Sequence, residues 1–101
     1  MPRVVWTPEA EAQITSIPSD ETVEELMALA AGLATFPLRG RRVPELEKHP
    51  SYEIVREVVL PHKARVFYLH VPDSDEVIIL GLLLKGRAFR AGVLGPRFDE
   101  R

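Results

Sequence analysis

Apolar and polar positions change their period along the chain, and each change marks a new element. Arg3-Val4-Val5-Trp6 is a short β-like run. Thr7-Pro8-Glu9 then combines a helix N-cap residue, proline at the first helical position and an acid in the first turn. Ala10, Ile14 and Ile17 supply an apolar stripe, and Pro18 restricts Ile17, so this first helix is short. Ser19 or Asp20 caps a second helix. Its apolar residues Val23, Leu26, Met27, Ala30, Leu33 and Ala34 recur at helical spacing, with Glu21, Glu24 and Glu25 outside, until Phe36-Pro37 stops it. The two helices are expected to form a hairpin with one shared apolar face.

The period shortens from Tyr52 onward, and the stretch to Phe89 is what the rest of the chain is organised around. Three strands are predicted, at Tyr52 to Leu60, Ala64 to Val71 and Glu76 to Leu84. Pro61-His62 breaks the first pair and Pro72-Asp73-Ser74-Asp75 the second, as Pro and Asp supply turn geometry between β-branched runs. The apolar run VIILGLLL in the last strand suggests burial on both faces. Between the helices and this meander, PLRGRRVPEL and the polar stretch to Ser51 read as surface loop, and Ala91 to Arg101 reads as a loose tail. The expected fold class is α+β in a single domain, residues 1–101: a small antiparallel sheet with a helix hairpin on one face.

Parity within the middle strand carries the first functional inference. Arg65, Phe67, Leu69 and Val71 point one way, and Val66, Tyr68 and His70 the other, so both faces bear apolar groups. The hairpin can cover one of them. Loops, a second copy or a partner segment must fill the other, which is expected to offer a groove.

Composition narrows the classes. The chain has 101 residues, enough for one modest core. It has no apolar run near the roughly 18 to 20 residues of a membrane span, and MPRVVW lacks the regions of a signal peptide, so a cytoplasmic location is expected. Without cysteine there is no disulfide framework or thiolate chemistry. His49, His62 and His70 make no metal-ligand spacing, and no metal or cofactor is expected. The net charge of -2 hides a segregation: before residue 31 there is one base, Arg3, against six acids. Seven bases against four acids follow from Arg39 to Arg65, and Lys85, Arg87, Arg90 and Arg97 precede the next acid, Asp99. Such a field steers an acidic partner, while the acidic total argues against direct DNA binding by this chain alone.

The ordered set of strand, helix hairpin, Gly40 to Leu46 with Val43-Pro44-Glu45-Leu46, then Arg56-Glu57, Arg65-Val66-Phe67-Tyr68 and a last strand ending in Lys85-Gly86-Arg87 resembles the RelE/ParE superfamily of bacterial type II toxins, and its ParE branch in particular. The resemblance spans Val4 to about Phe89. It implies a toxin made with a cognate antitoxin that wraps it. In the ParE branch it implies inhibition of DNA gyrase, and in the RelE branch ribosome-dependent cleavage of mRNA.

Metal-free RNA cleavage needs a base for the 2′-hydroxyl, a cation for the phosphorane and an acid for the leaving oxygen. Arg65 and Arg87 fall where RelE-like ribonucleases keep functional arginines. However, Glu53-Ile54-Val55 stands where those enzymes place lysines, and the residues from Phe89 onward offer no Tyr or His. A non-enzymatic inhibitor is therefore favoured, with Arg65 and Arg87 catalytic only in the ribonuclease alternative; a non-toxic binding relative is the third reading. The expected partner-binding set is Arg56, Arg65, Phe67, Leu69, Arg87 and Arg90. The bland alternative for Arg56 is a structural pair with Glu45, Glu57 or Glu47, for Arg65 likewise a structural pair, and for Phe67 a place in the core. A homodimer is compatible with the uncovered face.

Overall fold

The computed structural model describes residues 1–98. Strand β1 (Arg3–Trp6) leads into helix α1 (Pro8–Thr15), whose N-cap Thr7 accepts a hydrogen bond from the Ala10 amide. Helix α2 (Asp20–Ala31) starts at Ser19, whose side chain accepts from Thr22 N–H, and a 3-10 turn at Gly32–Ala34 finishes it. Both starts follow from side-chain oxygens meeting otherwise unpaired first-turn amides. The strands that follow are β2 (Arg41–Arg42), β3 (Arg56–Leu60), β4 (Ala64–Val71) and β5 (Glu76–Leu84). They form a five-stranded sheet in the order β1-β5-β4-β3-β2.

The meander β3-β4-β5 is antiparallel, as the turns predicted, and β1 joins its far edge parallel to β5, pairing Arg3 to Glu76 through Trp6 to Ile79. The sheet is thus mixed. The predicted strand from Tyr52 is shorter than expected. Pro50–Glu53 is a 3-10 turn started by proline and capped by the His49 ring, so pairing begins only at Arg56.

The two faces of the sheet make two apolar clusters. On the helix side lie Val58, Val66, Tyr68, Val77, Ile79 and Leu82 with Ala10, Leu26, Ala30 and Leu33 of the helices. On the other side Phe67, Leu69, Leu80 and Leu83 meet Val43, Leu46, Val55, Leu94 and Phe98. A register shift at Phe67/Tyr68, where Gly81 and Ile79 are successive partners, leaves Leu80 as an extra residue. This bulge moves the helix-facing set in β5 from Val77 and Ile79 to Leu82 and lets both faces stay apolar.

Two expectations are corrected here. The second face is covered by the chain's own loops. Its residues Phe67 and Leu69 are buried in that cluster and do not line an open groove. The segment from Ala91 is not loose within the described residues: 3-10 turns at Ala91–Leu94 and Pro96–Phe98 bury Leu94 and Phe98 against the sheet. Asp99 to Arg101, the rest of the predicted tail, lie outside the described residues. No helix among the described residues is long and apolar enough to cross a membrane.

Candidate functional site

The basic residues singled out in the sequence separate into a committed group and a free group. Arg65 projects from β4 onto the second face, where β3 places Glu57 and the Pro44–Leu46 turn places Glu45. Its Nε donates to Glu57 Oε1 at 2.7 Å, and its two terminal nitrogens donate to the Glu45 carboxylate at 2.9 and 2.7 Å. Its plane also lies over two aromatic rings, 5.1 Å from the Phe67 centroid and 5.7 Å from Phe89, which meet edge to face. The hydrogen bonds to Glu45 come first in raising the Arg65 pKa, and the same bonds hold the Glu45 carboxyl below the ordinary glutamate range.

Glu57 is the hub of this network. It is 1% exposed, and Arg41 of β2 donates its Nε to the second oxygen at 2.6 Å. A carboxylate on a sheet face that loops have closed needs hydrogen-bond donors and compensating charge, and two guanidiniums supply three contacts. The residues therefore favour a structural role for Arg65. The same network explains the two-residue strand β2, whose Arg41 lies opposite Glu57.

Arg56 is also held internally, though not by the carboxylates expected. Its Nη1 donates to the Gly40 carbonyl at 2.7 Å, while the Gly40 N–H donates to the Tyr68 hydroxyl at 2.8 Å. Tyr68 is buried on the helix face, away from Arg65, and burial raises its pKa. A Cβ at Gly40 would lie 2.5 Å from the Glu57 carbonyl oxygen and 2.7 Å from the Tyr68 hydroxyl, so glycine is required by close approach.

Arg87 and Arg90 form the free group. Both are exposed, and neither has an ion-pair partner among the described residues. They border a groove of about 810 Å³ between the end of α1 (Gln13, Ser16, Ile17), the end of β5 (Leu82 to Leu84) and the Ala88 to Val93 segment. Among the described residues no acid lines it. Arg87 also borders a smaller cleft of about 370 Å³ with His62, Lys63, Arg65 and Lys85, so one end of the sheet is basic. Glu25 of α2 pairs with Lys63 at this end.

Gln13 was not singled out in the sequence. Its side-chain oxygen accepts from Leu82 N–H at 2.6 Å and its amide nitrogen donates to the Val93 carbonyl at 3.1 Å, fastening helix, strand and C-terminal segment together. The available signal was a polar residue three positions after Ala10, beside the inward stripe of α1.

A sequence model of the family described as ParE toxin of type II toxin-antitoxin system, parDE, matches residues 4–89. No curated protein sequence matches the chain. Among solved structures, the chain is similar to one from the RelBE2 toxin-antitoxin complex of Mycobacterium tuberculosis, with TM-score 0.69 at 19% identity, covering 84% of this chain and 100% of that one. It is also similar to a chain of the intact E. coli RelBE toxin-antitoxin complex, with TM-score 0.65 at 13% identity, covering 89% and 100%. At these identities the structures show a shared fold. The family match over most of the chain shows more: this protein belongs to the ParE toxin family of the RelE/ParE superfamily, the toxins of type II toxin-antitoxin systems.

Proposed function

We propose that this ParE-family toxin acts in the cytoplasm by binding DNA gyrase, without catalysis of its own, and that a cognate antitoxin neutralises it by covering Arg87 and Arg90. One observation carries the choice against RNA cleavage. Arg65, the position at which RelE-like ribonucleases keep a functional arginine, is saturated by Glu45 and Glu57. A guanidinium held by two carboxylates offers little field to a developing phosphorane, and the buried Glu57 would repel the phosphate. Glu53, paired with Arg42 at 2.9 Å, adds a further acid on the Tyr52 turn.

The antitoxin reading draws on the free basic groove. Arg87 and Arg90 are available for an acidic segment, whereas Arg56, Arg65, Phe67 and Leu69 are engaged within the chain. The expected partner-binding set thus contracts to the two arginines after β5.

The test pairs two reactions with the same purified protein. In the first, gyrase, ATP and plasmid are incubated with it; in the second, cell-free translation is followed by primer-extension mapping of the message. Lost supercoiling or trapped double-strand breaks with intact message are the expected result. Codon-phased, ribosome-dependent cuts with gyrase unaffected would refute the proposal and assign Arg87 to RNA cleavage.

A further inference from the structure

Helix α2 turns Leu26 and Ala30 into the core, and its other side carries exposed residues in a definite order. Asp20 and Glu24 lead, and Met27, Ala28 and Ala31 follow. At 3.6 residues per turn, Asp20, Glu24, Met27 and Ala31 fall in one stripe about 60° wide. Met27 is 47% exposed; past the helix, Phe36 and Leu38 are 63% and 61% exposed. With Thr35, Pro37 and Arg39 these two line an open hollow of about 650 Å³. Phe36 N–H donates to the Gly32 carbonyl at 3.2 Å, and Arg39 folds back so that Nη1 lies 3.8 Å from where a Gly32 Cβ would stand. The C-terminal end of α2 is thus closed by apolar side chains and one guanidinium.

Charge is divided along this surface. Asp20, Glu24 and Arg39 have no ion-pair partner among the described residues, whereas Glu25 turns aside to Lys63. The acidic end and the basic end are separated by the length of α2, about 17 Å from Asp20 to Ala31 at 1.5 Å per residue, with apolar side chains between them. A surface with this order is complementary to itself turned end for end. A two-fold axis passing between Met27 and Ala28 sets two copies of α2 antiparallel, with Glu24 opposite Ala31 and Asp20 opposite Thr35. The acidic end of each copy then meets loop 36–39 of the other. Parallel helices would set acid on acid and base on base.

We propose that a second copy of this chain docks on the outer face of α2 as an antiparallel two-fold dimer, in which Asp20 and Glu24 pair with Arg39 across the interface and Met27, Phe36 and Leu38 leave water. The sheet face expected to hold a second copy is closed by loops; the open surface is this one. About ten residues a side is fewer than the 20 to 30 of a standard interface, so the dimer is weak, with a dissociation constant on the order of 10 to 100 µM. None of these residues lines the groove at Arg87 and Arg90, and the dimer carries two such grooves.

The test is sedimentation equilibrium of the full chain at concentrations bracketing that constant, for wild type, M27E, D20K/E24K and R39E. Wild type is expected to form a dimer, and each variant to self-associate at least tenfold more weakly with an unchanged circular dichroism spectrum. An equimolar mixture of D20K/E24K and R39E is the decisive arm. Only their heterodimer sets lysine against glutamate at one junction and the natural acids against Arg39 at the other, so association should return to within threefold of wild type. If the first-turn lysines disturb α2, M27E mixed with M27K repeats this arm at an exposed position beside the axis. A wild-type chain that stays monomeric at ten times the expected constant overturns the proposal. So does a dimer that M27E leaves intact, which places the second copy elsewhere, and so do weakened variants that fail to recover on mixing. Loss of antitoxin affinity in M27E, in a chain that does not self-associate, gives the surface another occupant and overturns it as well.

Discussion

Replacing Glu57 by Gln tests whether the network around Arg65 holds this domain together. Glu57 is 1% exposed, and its carboxylate receives Arg41 Nε at 2.6 Å, Arg65 Nε at 2.7 Å and Arg65 Nη2 at 2.6 Å. Glutamine keeps the shape but has one acceptor oxygen. If that oxygen stays with Arg65, the new NH₂ faces the Arg41 N–H, and that bond is lost. Breaking a buried ion pair by removing one partner costs about 3 to 5 kcal/mol. The cost falls at or below the lower end here, because Arg65 retains Glu45 and the Arg41 side chain is 66% exposed and can hydrate. We expect a loss of about 2 to 3 kcal/mol, or roughly 10 to 20 °C in melting temperature at about 4 to 8 °C per kcal/mol for a domain of this size. Urea unfolding is the assay, with the midpoint falling at constant m. The double variant E57L/R65M, which removes the buried charge with its main partner, should recover more than half of the loss. A loss below about 0.5 kcal/mol for E57Q, inside the range of ordinary surface substitutions, would refute the reasoning.

Two further predictions rest on other parts of the molecule. Leu94 is 2% exposed in the second apolar cluster, so Leu94→Ala should destabilise by about 2 to 4 kcal/mol in urea unfolding, a cavity effect that a loose tail would not show. Glu45 and Glu76 have depressed pKa values through hydrogen bonds from Arg65 and Arg3 respectively, so the unfolded chain binds protons before the folded one does. Their contribution is complete above the ordinary glutamate range and is lost as pH falls below it; Glu45→Gln should flatten that acid limb in unfolding measured between about pH 5 and pH 2.

How much of this was legible in the sequence depended on whether the signal was local. Both helix starts, the turns at Pro61 and Pro72 and the meander they separate could be read from neighbouring residues, because caps, fixed proline φ and side-chain period act over a few positions. The resemblance rested on the ordered set of these elements, and the family match covers almost the same span, residues 4–89. The sequence predicts β3 too long because Tyr52 and Ile54 alternate correctly with Arg56, while the 3-10 turn from Pro50 overrides that period.

Partner choice was decided only by the fold. From sequence, Arg56, Arg65, Phe67 and Leu69 are all candidates for partner binding; in three dimensions Arg56 reaches the Gly40 carbonyl across 16 positions and Arg65 reaches Glu45 across 20. Phe67 and Leu69 are buried by residues as distant as Leu94 and Phe98. Sequence alone thus determined most of the elements, the apolar parity of both sheet faces and the run of bases at Lys85, Arg87 and Arg90. Tertiary structure determined which charges were spent inside the molecule, since the alternatives open to an arginine differ in long-range contacts that no local pattern encodes.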